Sequence, residues 1–387
     1  MSTRTLLFTD CVDFVGSACK PFAGMKKYVS TGAVNVDHIN DSETEIVDYD
    51  GKPSRANLEV MAGDVLFAKM QGTKKTLLID PVLAKHIYST GFCAVRAKKA
   101  ILTERCLYHI LTSEMFLSQK DKNCSGATQK AITNAGLGKI VIRVPSIEMQ
   151  NDIADQLDAV INIIAKRQQE LSTLDELIKA RFVEMFGDPD ANPMCWPERV
   201  LSDMLDVLGG YAFKSKGFNE VDGIPVLRIG NINAGFFKPV NMVFWEEDET
   251  LERYTLYPGD LVMSLTGTVG KDDYGNVCIL GNDYSKYYLN QRNAKLELKD
   301  GLDKYYLSQL LRFEKIKKRL TGISRGVRQA NISNSDILSL RVPIPPIELQ
   351  RKFSAFVLQV DKSKVAVQKS LDETQILFDS LMQEYFG

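Results

Sequence analysis

The sequence predicts an α+β protein of two similar globular domains, each followed by a long helix, the two helices pairing as an antiparallel coiled coil. Three observations carry this. Segments 126–150 and 326–350 share eight identical positions at a constant offset of 200: Gly126, Gln129, Ile132, Asn134, Pro145, Ile147, Glu148 and Gln150, with their later counterparts. A repeat held at fixed spacing marks a duplicated unit. The offset returns where Glu184-Met185-Phe186-Gly187 aligns with Glu384-Tyr385-Phe386-Gly387. Between these segments apolar residues recur every seven positions in both copies, the period of a helix–helix seam.

The boundaries that follow are 1–144 for the first domain, 145–188 for the first long helix, 189–343 for the second domain and 344–387 for the second long helix. A chain of 387 residues is long enough for domains with their own cores. Its 44% apolar and 25% charged content is that of an ordinary soluble protein. In each domain short branched or apolar runs lie between Gly, Asn and Asp turns, among them VLFAKM, IVIRV, IPVLRIGNI, DLVMSLTG and NVCILG. These read as strands of a mostly antiparallel, curved sheet. LTERCLYHILTSEMFLSQ and DKYYLSQLLRFEKIKKRL have helical spacing instead. Gly63-Asp64-Val65-Leu66 is echoed by Gly259-Asp260-Leu261-Val262.

Pro145-Ser146 starts the first long helix, with Ser146 as cap and Glu148 in the first turn complementing the dipole. Pro345-Pro346 precedes Ile347 in the second, since a helix accepts proline in its first turn. The first seam is Leu157, Ile164, Leu171, Ile178 and Met185, interleaved with Val160, Leu174 and the polar Arg167 and Arg181. The second is Val357, Lys364, Leu371, Phe378 and Tyr385, interleaved with Val360, Val367, Thr374 and Leu381. The plainer reading is two amphipathic helices folded separately onto their own domains. A helix of roughly 40 residues is about 60 Å long, too long to lie across one small domain. Matched length and phase therefore favour mutual packing. Gly187-Asp188-Pro189 ends the first helix, and the second domain then lets the second helix run back along it.

No catalytic pattern emerges. Gly267-Thr268-Val269-Gly270-Lys271-Asp272 has the wrong spacing for a phosphate-binding loop, with Asp where Ser or Thr would hold Mg²⁺. Asn192-Pro193-Met194 lacks the second proline and the aromatic of a methyltransferase target-base loop. Asp283 with Glu297-Leu298-Lys299 imitates a nuclease triplet, but so common a triplet is read as coincidence. His38, His86 and His109 form no local ligand pair, so neither metal nor cofactor is expected. The seven dispersed cysteines, with no CxxC pair, suit a reducing cytosol. With no secretory signal and no membrane-length apolar run, a cytoplasmic location is expected.

The formal net charge of −1 counts mildly against a nucleic-acid binder, although a balanced total can hide a basic face. Four groups of segments have the chemistry to meet a polyanion. Lys69, Gln71, Thr73, Lys74 and Lys75 leave a strand, and Thr266, Thr268 and Lys271 are their counterparts. Glycine admits close backbone approach, Thr donates a hydroxyl, and Lys brings charge. Thr128, Gln129 and Lys130 match Arg325, Arg328, Gln329 and Asn331; Arg reads guanine and Gln or Asn reads adenine through paired contacts. Asn290, Gln291 and Arg292 share this vocabulary, and Tyr211, Phe213, Lys214 and Lys216 set aromatics beside lysines. Each run alone reads as a solvated turn; recurrence in both copies is what singles them out. The basic helix face Phe313–Arg319 is open between a solvated surface and a track for phosphates.

The domain–helix–domain–helix order resembles the DNA-specificity subunits of type I restriction–modification enzymes. So do the helix starts Pro145-Ser146-Ile147-Glu148-Met149-Gln150 and Pro345-Pro346-Ile347-Glu348-Leu349-Gln350, the helix end Glu184-Met185-Phe186-Gly187-Asp188-Pro189, and the stretches Val226–Ile232 and Gly259–Val262. The first domain departs from the pattern, offering Val29-Ser30-Thr31-Gly32-Ala33-Val34 where the second has Leu227-Arg228-Ile229-Gly230-Asn231-Ile232. The resemblance implies two target-recognition domains, each reading one half of a split, asymmetric site in double-stranded DNA. It also implies helices that fix the spacing and dock two methyltransferase (modification) subunits, with restriction subunits joining. Two other readings stay open: an interaction scaffold that reads no DNA, and a self-contained restriction enzyme.

Overall fold

The structure, a computed structural model, describes residues 3–127, 129–233, 235–268, 271–322 and 329–387, without the side chain of Gln329. It comprises two compact units. One is 1–169 with 368–387, the other 170–367, so each contains one end of both long helices.

In the first unit, alternation along the strands decides the layers. Strands Val12–Val15, Phe92–Ala97, Val65–Ala68 and Thr76–Leu78 form an antiparallel sheet in that order. Val65, Phe67 and Val95 point to helices Glu104–Thr112 and Glu114–Lys122, burying with Cys106, Leu107, Ile110 and Phe116. Leu66, Ala68 and Ala94 point the other way, onto Val29 and Tyr88 of a second sheet. Two buried faces on one sheet explain why these strands read as continuous apolar runs. The second sheet runs Glu45–Val47, Lys26–Val29, Ile87–Ser89, Ala56–Leu58. A ribbon of Thr3–Leu7 with Val141–Pro145 leads to the long helix.

The second unit repeats the strand order of these two four-stranded sheets. Its sheets run Leu205–Gly209, Asn293–Leu298, Leu261–Ser264, Val277–Ile279, and Phe244–Trp245, Ile224–Leu227, Tyr287–Leu289, Thr255–Leu256. Helices Lys304–Arg312 and Glu314–Thr321 cover the first of them. The single curved sheet expected for each domain is thus two four-stranded sheets. Among the described residues each unit has one parallel strand pair, Tyr28 beside Ile87 and Val226 beside Tyr288. The divergent segments coincide here: Val29 pairs with Tyr88 where Leu227 pairs with Leu289.

Both long helices, Ile147–Phe186 and Ile347–Phe386, have 40 residues. They pack together and run antiparallel: Gln156 accepts a hydrogen bond from the Tyr385 hydroxyl at 2.9 Å, Asp175 pairs with Lys364, and Phe186 meets Phe353 at 5.6 Å between ring centroids. In the first unit Leu157, Val160 and Tyr385 are buried, and Ile164, Leu371, Phe378 and Leu381 are half-buried. In the second, Ile178, Val357, Val360 and Val367 are buried, and Leu171, Leu174 and Met185 are half-buried. Polar interruptions find partners. Lys364 pairs with Asp175, the Thr374 hydroxyl donates to the Ser370 carbonyl at 2.7 Å, and Arg181 lies over the Phe356 ring at 5.7 Å.

Each helix begins in one unit's core and ends in the other's. Phe182 and Phe186 join Tyr306, Phe313 and Phe353 in an aromatic cluster of the second unit. Met382, Tyr385 and Phe386 close the first unit's core against Ile153 and Leu157. Gly187, at φ +79°, turns the chain out of the first helix, and a side chain there would strike Pro193 at 2.6 Å.

Candidate nucleic-acid interface

In the first unit, strand Val65–Ala68 runs into the loop 69–75, which is sewn to a second segment by backbone bonds. Gln71 N–H donates to the Lys130 carbonyl at 3.0 Å, Ile132 N–H donates to the Lys69 carbonyl at 2.9 Å, and Met70 bridges Ala131. Two of the stretches singled out in the sequence therefore form one surface. Their side chains divide. Lys74 pairs with Glu114, Lys75 donates to the Thr31 carbonyl at 2.7 Å, and the Thr73 hydroxyl to the Met70 carbonyl at 2.6 Å. Gln71 reaches the Asp121 carbonyl at 3.3 Å. Among the described residues no side-chain partner holds Lys69, Gln129 or Lys130, of which the last two are exposed. Thr128 lies outside the described residues.

The second unit builds the same surface with a longer ribbon. Thr266, Gly267 and Thr268 pair with Asn331, Ala330 and Gln329. Leu265 N–H donates to the Arg292 carbonyl and Ile332 N–H to the Leu265 carbonyl, both at 2.8 Å. Gln291 N–H donates to the Tyr211 carbonyl at 2.9 Å, and Tyr211 bridges Asn290. Four separate stretches meet here, presenting Tyr211, Gln291, Arg292, Thr268 and Asn331 as exposed side chains. Lys214, Lys216 and Lys271 are also exposed. Arg325 and Arg328 lie outside the described residues.

Two candidates have other roles in the structure. Phe213 is buried against Tyr211, Trp245 and Tyr288 at 5.0–5.8 Å, so it supports Tyr211 from below. Asn290 is buried too, its amide oxygen accepting from Arg292 N–H at 3.2 Å and shaping the turn. The basic helix face is committed internally. Lys315 and Arg319 pair with Asp190, Lys318 pairs with Glu314, and Lys317 is buried. Hydrogen bonds from Arg319 and then Lys315 hold the Asp190 carboxyl below its ordinary pKa.

The braces behind the loops were not legible in the sequence. Asp273 accepts from the Thr268 N–H at 2.8 Å and hydroxyl at 2.9 Å. Burial raises its pKa, but these bonds bring it below the usual carboxylate value. Thr266 Oγ1 and Asn293 Oδ1 are buried with no hydrogen-bond partner among the described residues. Of the imitated nuclease triplet, Glu297 pairs with Lys295 and Lys299 with Asp206. No group of three His, Cys, Asp or Glu among the described residues is placed to hold a metal.

The family described as "Type I restriction modification DNA specificity domain" matches residues 14–174 and 193–374. The chain belongs to this family. It is the DNA specificity subunit of a type I restriction–modification system, the non-catalytic component of the complex. The scaffold and self-contained-enzyme readings give way to it. The chain is 26% identical over 301 residues to the type I restriction enzyme MjaVIII specificity subunit of Methanocaldococcus jannaschii, covering 72% of this chain and 68% of that one. Against the EcoKI specificity subunit of Escherichia coli K12 it is 20% identical over 382 residues, 92% of this chain and 80% of that one. Its fold is similar to that of the type I restriction–modification S subunit from M. genitalium, with a TM-score of 0.56 at 14% identity, covering 100% of this chain and 96% of that one. It is similar also to a chain solved in work on complex assembly and conformational transition of the type I system, at 0.53 and 20%, covering 99% and 97%. Among the described residues no helix of this subunit is long and apolar enough to cross a membrane.

Proposed function

We propose that the specificity subunit reads a bipartite, asymmetric site in double-stranded DNA, one unlike half-site per unit. The first half-site is read through the surface of Lys69, Gln71, Thr73, Lys74, Lys75, Thr128, Gln129 and Lys130. The second is read through Tyr211, Lys214, Lys216, Thr268, Lys271, Gln291, Arg292, Arg325, Arg328, Gln329 and Asn331, with Thr266, its hydroxyl buried, holding the ribbon through its backbone. One observation carries this reading: the same backbone ribbon recurs in both units and displays different side chains. Like frames with unlike contacts suit two different base sequences. The paired helices act as the spacer between half-sites, on the order of one helical turn of DNA. They also dock two methyltransferase subunits, and restriction subunits join that assembly in the cytoplasm.

Mapping methylated bases genome-wide in cells expressing this chain with its modification partner tests the proposal. The expected result is a two-part motif with a fixed gap, in which substitutions on one surface change one half only. A continuous motif, or one indifferent to substitutions on both surfaces, overturns it.

A further inference from the structure

We propose that Lys120 and Lys317 are positioning residues for DNA reading, each a buried ammonium that holds a reading loop in shape before DNA arrives. The inference rests on the reading surfaces proposed above. A buried ammonium is costly unless every donor is matched. Lys120 is 1% exposed, and its Nζ meets the Met70 carbonyl at 3.1 Å, the Thr73 carbonyl at 2.9 Å and the Asp121 carboxylate at 2.9 Å. Three donors face three acceptors, two of them backbone carbonyls of the 69–75 loop. Asp121 completes the clasp by accepting from Gly72 N–H at 3.0 Å. The carbonyls turn inward to the ammonium, while the Gln71 side chain stays exposed and Lys69 half-buried.

Lys317 does the same work in the second unit with different partners. It lies on the corresponding helix, Glu314–Thr321 against Glu114–Lys122. Its ammonium, also buried, pairs with the Asp272 carboxylate and donates to Asn276 Oδ1 at 2.7 Å. The neighbouring Asp273 pins Thr268, so bonds from Lys317 and Asp273 together hold Thr268, Asp272 and Asn276. A loop already ordered loses less freedom when it binds than one that must be fixed on contact. Both side chains are buried, which separates these two lysines from the exposed lysines proposed to neutralise phosphate.

That separation supplies the test. Amide exchange of the full chain with Lys120→Met should accelerate about ten-fold or more at residues 71–72 and 130–132 while the second unit is unchanged. In the assembled complex, base selectivity should relax about ten-fold at one half-site, with the dependence of binding on salt unaltered. A lysine lost from a phosphate contact instead lowers that dependence by about one. Lys317→Met should act on the other half-site alone. If Lys120→Met fails to fold, Asp121→Ala loosens the same clasp from the surface and should show the same two signatures. Unchanged loop exchange, unchanged selectivity, or a lowered salt dependence each overturns the positioning role. Gln71→Ala and Gln129→Ala test the reading surface apart from the clasp behind it. If they alter one half-site while Lys120→Met does not, the positioning role alone falls. If they alter neither, the reading surface falls with it.

Discussion

Replacing Phe386 with Ala should destabilise the first unit, although most of the core it completes lies between Phe8 and Leu157, far away in sequence. The ring is 1% exposed and packs in the cluster of Ile153, Leu157 and Leu107. Removing a buried phenylalanine costs about 3–5 kcal/mol. A position at a helix end relaxes more readily than mid-core, so the lower value, about 3 kcal/mol, is expected. A native unit typically has ~5–15 kcal/mol in hand, so it should stay folded but open far more often. At ~1.4 kcal/mol per decade, 3 kcal/mol corresponds to about a 100-fold rise in exchange by global opening. Hydrogen exchange of the full chain, resolved by segment, reads this directly. Amides of Glu104–Thr112 should lose protection while those of Lys304–Arg312 keep theirs. Phe186→Ala should give the mirror image, with the second unit losing protection. If each substitution weakens instead the domain that precedes it in sequence, the exchange of helix ends is wrong.

Gln150→Leu leaves the Thr103 N–H and the Ile101 and Pro145 carbonyls without their partner. At ~1–3 kcal/mol for each buried group left unpaired, the first unit should lose about 3–5 kcal/mol in denaturant unfolding, with Gln350→Leu acting on the second. Burial holds the His109 pKa below its ordinary 6.5, only partly opposed by Asp158 at 2.9 Å. The folded form therefore resists protonation that the unfolded chain accepts. His109 leaves stability untouched above about pH 6.5 and erodes it as pH falls below that value, a slope that His109→Gln should flatten in pH-dependent melts of the first unit. Arg325→Ala and Arg328→Ala should each remove about 1–3 kcal/mol of discrimination at one half-site, whereas Lys130→Ala should weaken binding to all sequences and lower its salt dependence by about one, in competition binding across salt concentrations.

The duplicated architecture was legible because its causes are local and periodic. The seam residues repeat at seven-residue spacing, and Gln150 and Gln350 are identical because each does one job. Each amide accepts from the N-terminal N–H of a short helix, Thr103 or Asp303, and donates to the proline carbonyl before its own helix, Pro145 or Pro345. Gly63-Asp64 and Gly259-Asp260 were legible for the same reason. Both glycines sit at positive φ, and the two carboxylates accept from Met61 and Tyr257 N–H. What escaped were partnerships set by tertiary placement. A lysine in a basic run gives no sign that it is buried, as Lys317 is, nor does Phe213 beside two lysines announce that it faces inward. The division into two sheets escaped because a strand buried on both faces loses the alternation that would assign it to a layer.

Several of the identities that survive between the two copies belong to the cores. Ile132 and Ile332 are buried, Gln150 and Gln350 are fully enclosed, and Phe186 and Phe386 end helices inside a core. Each of these residues faces inward, where a change of volume or a lost partner is felt at once. The outward positions of the ribbon carry no such constraint, since its backbone bonds form whatever the side chains are. The proposed reading positions differ between the copies, with Lys69 and Lys130 in one and Gln291, Arg292 and Asn331 in the other. A frame held by its backbone and its buried residues leaves the exposed residues free to specify the sequence. Exchanging outward residues of one surface should therefore change the bases read in one half-site without moving the melting of either unit.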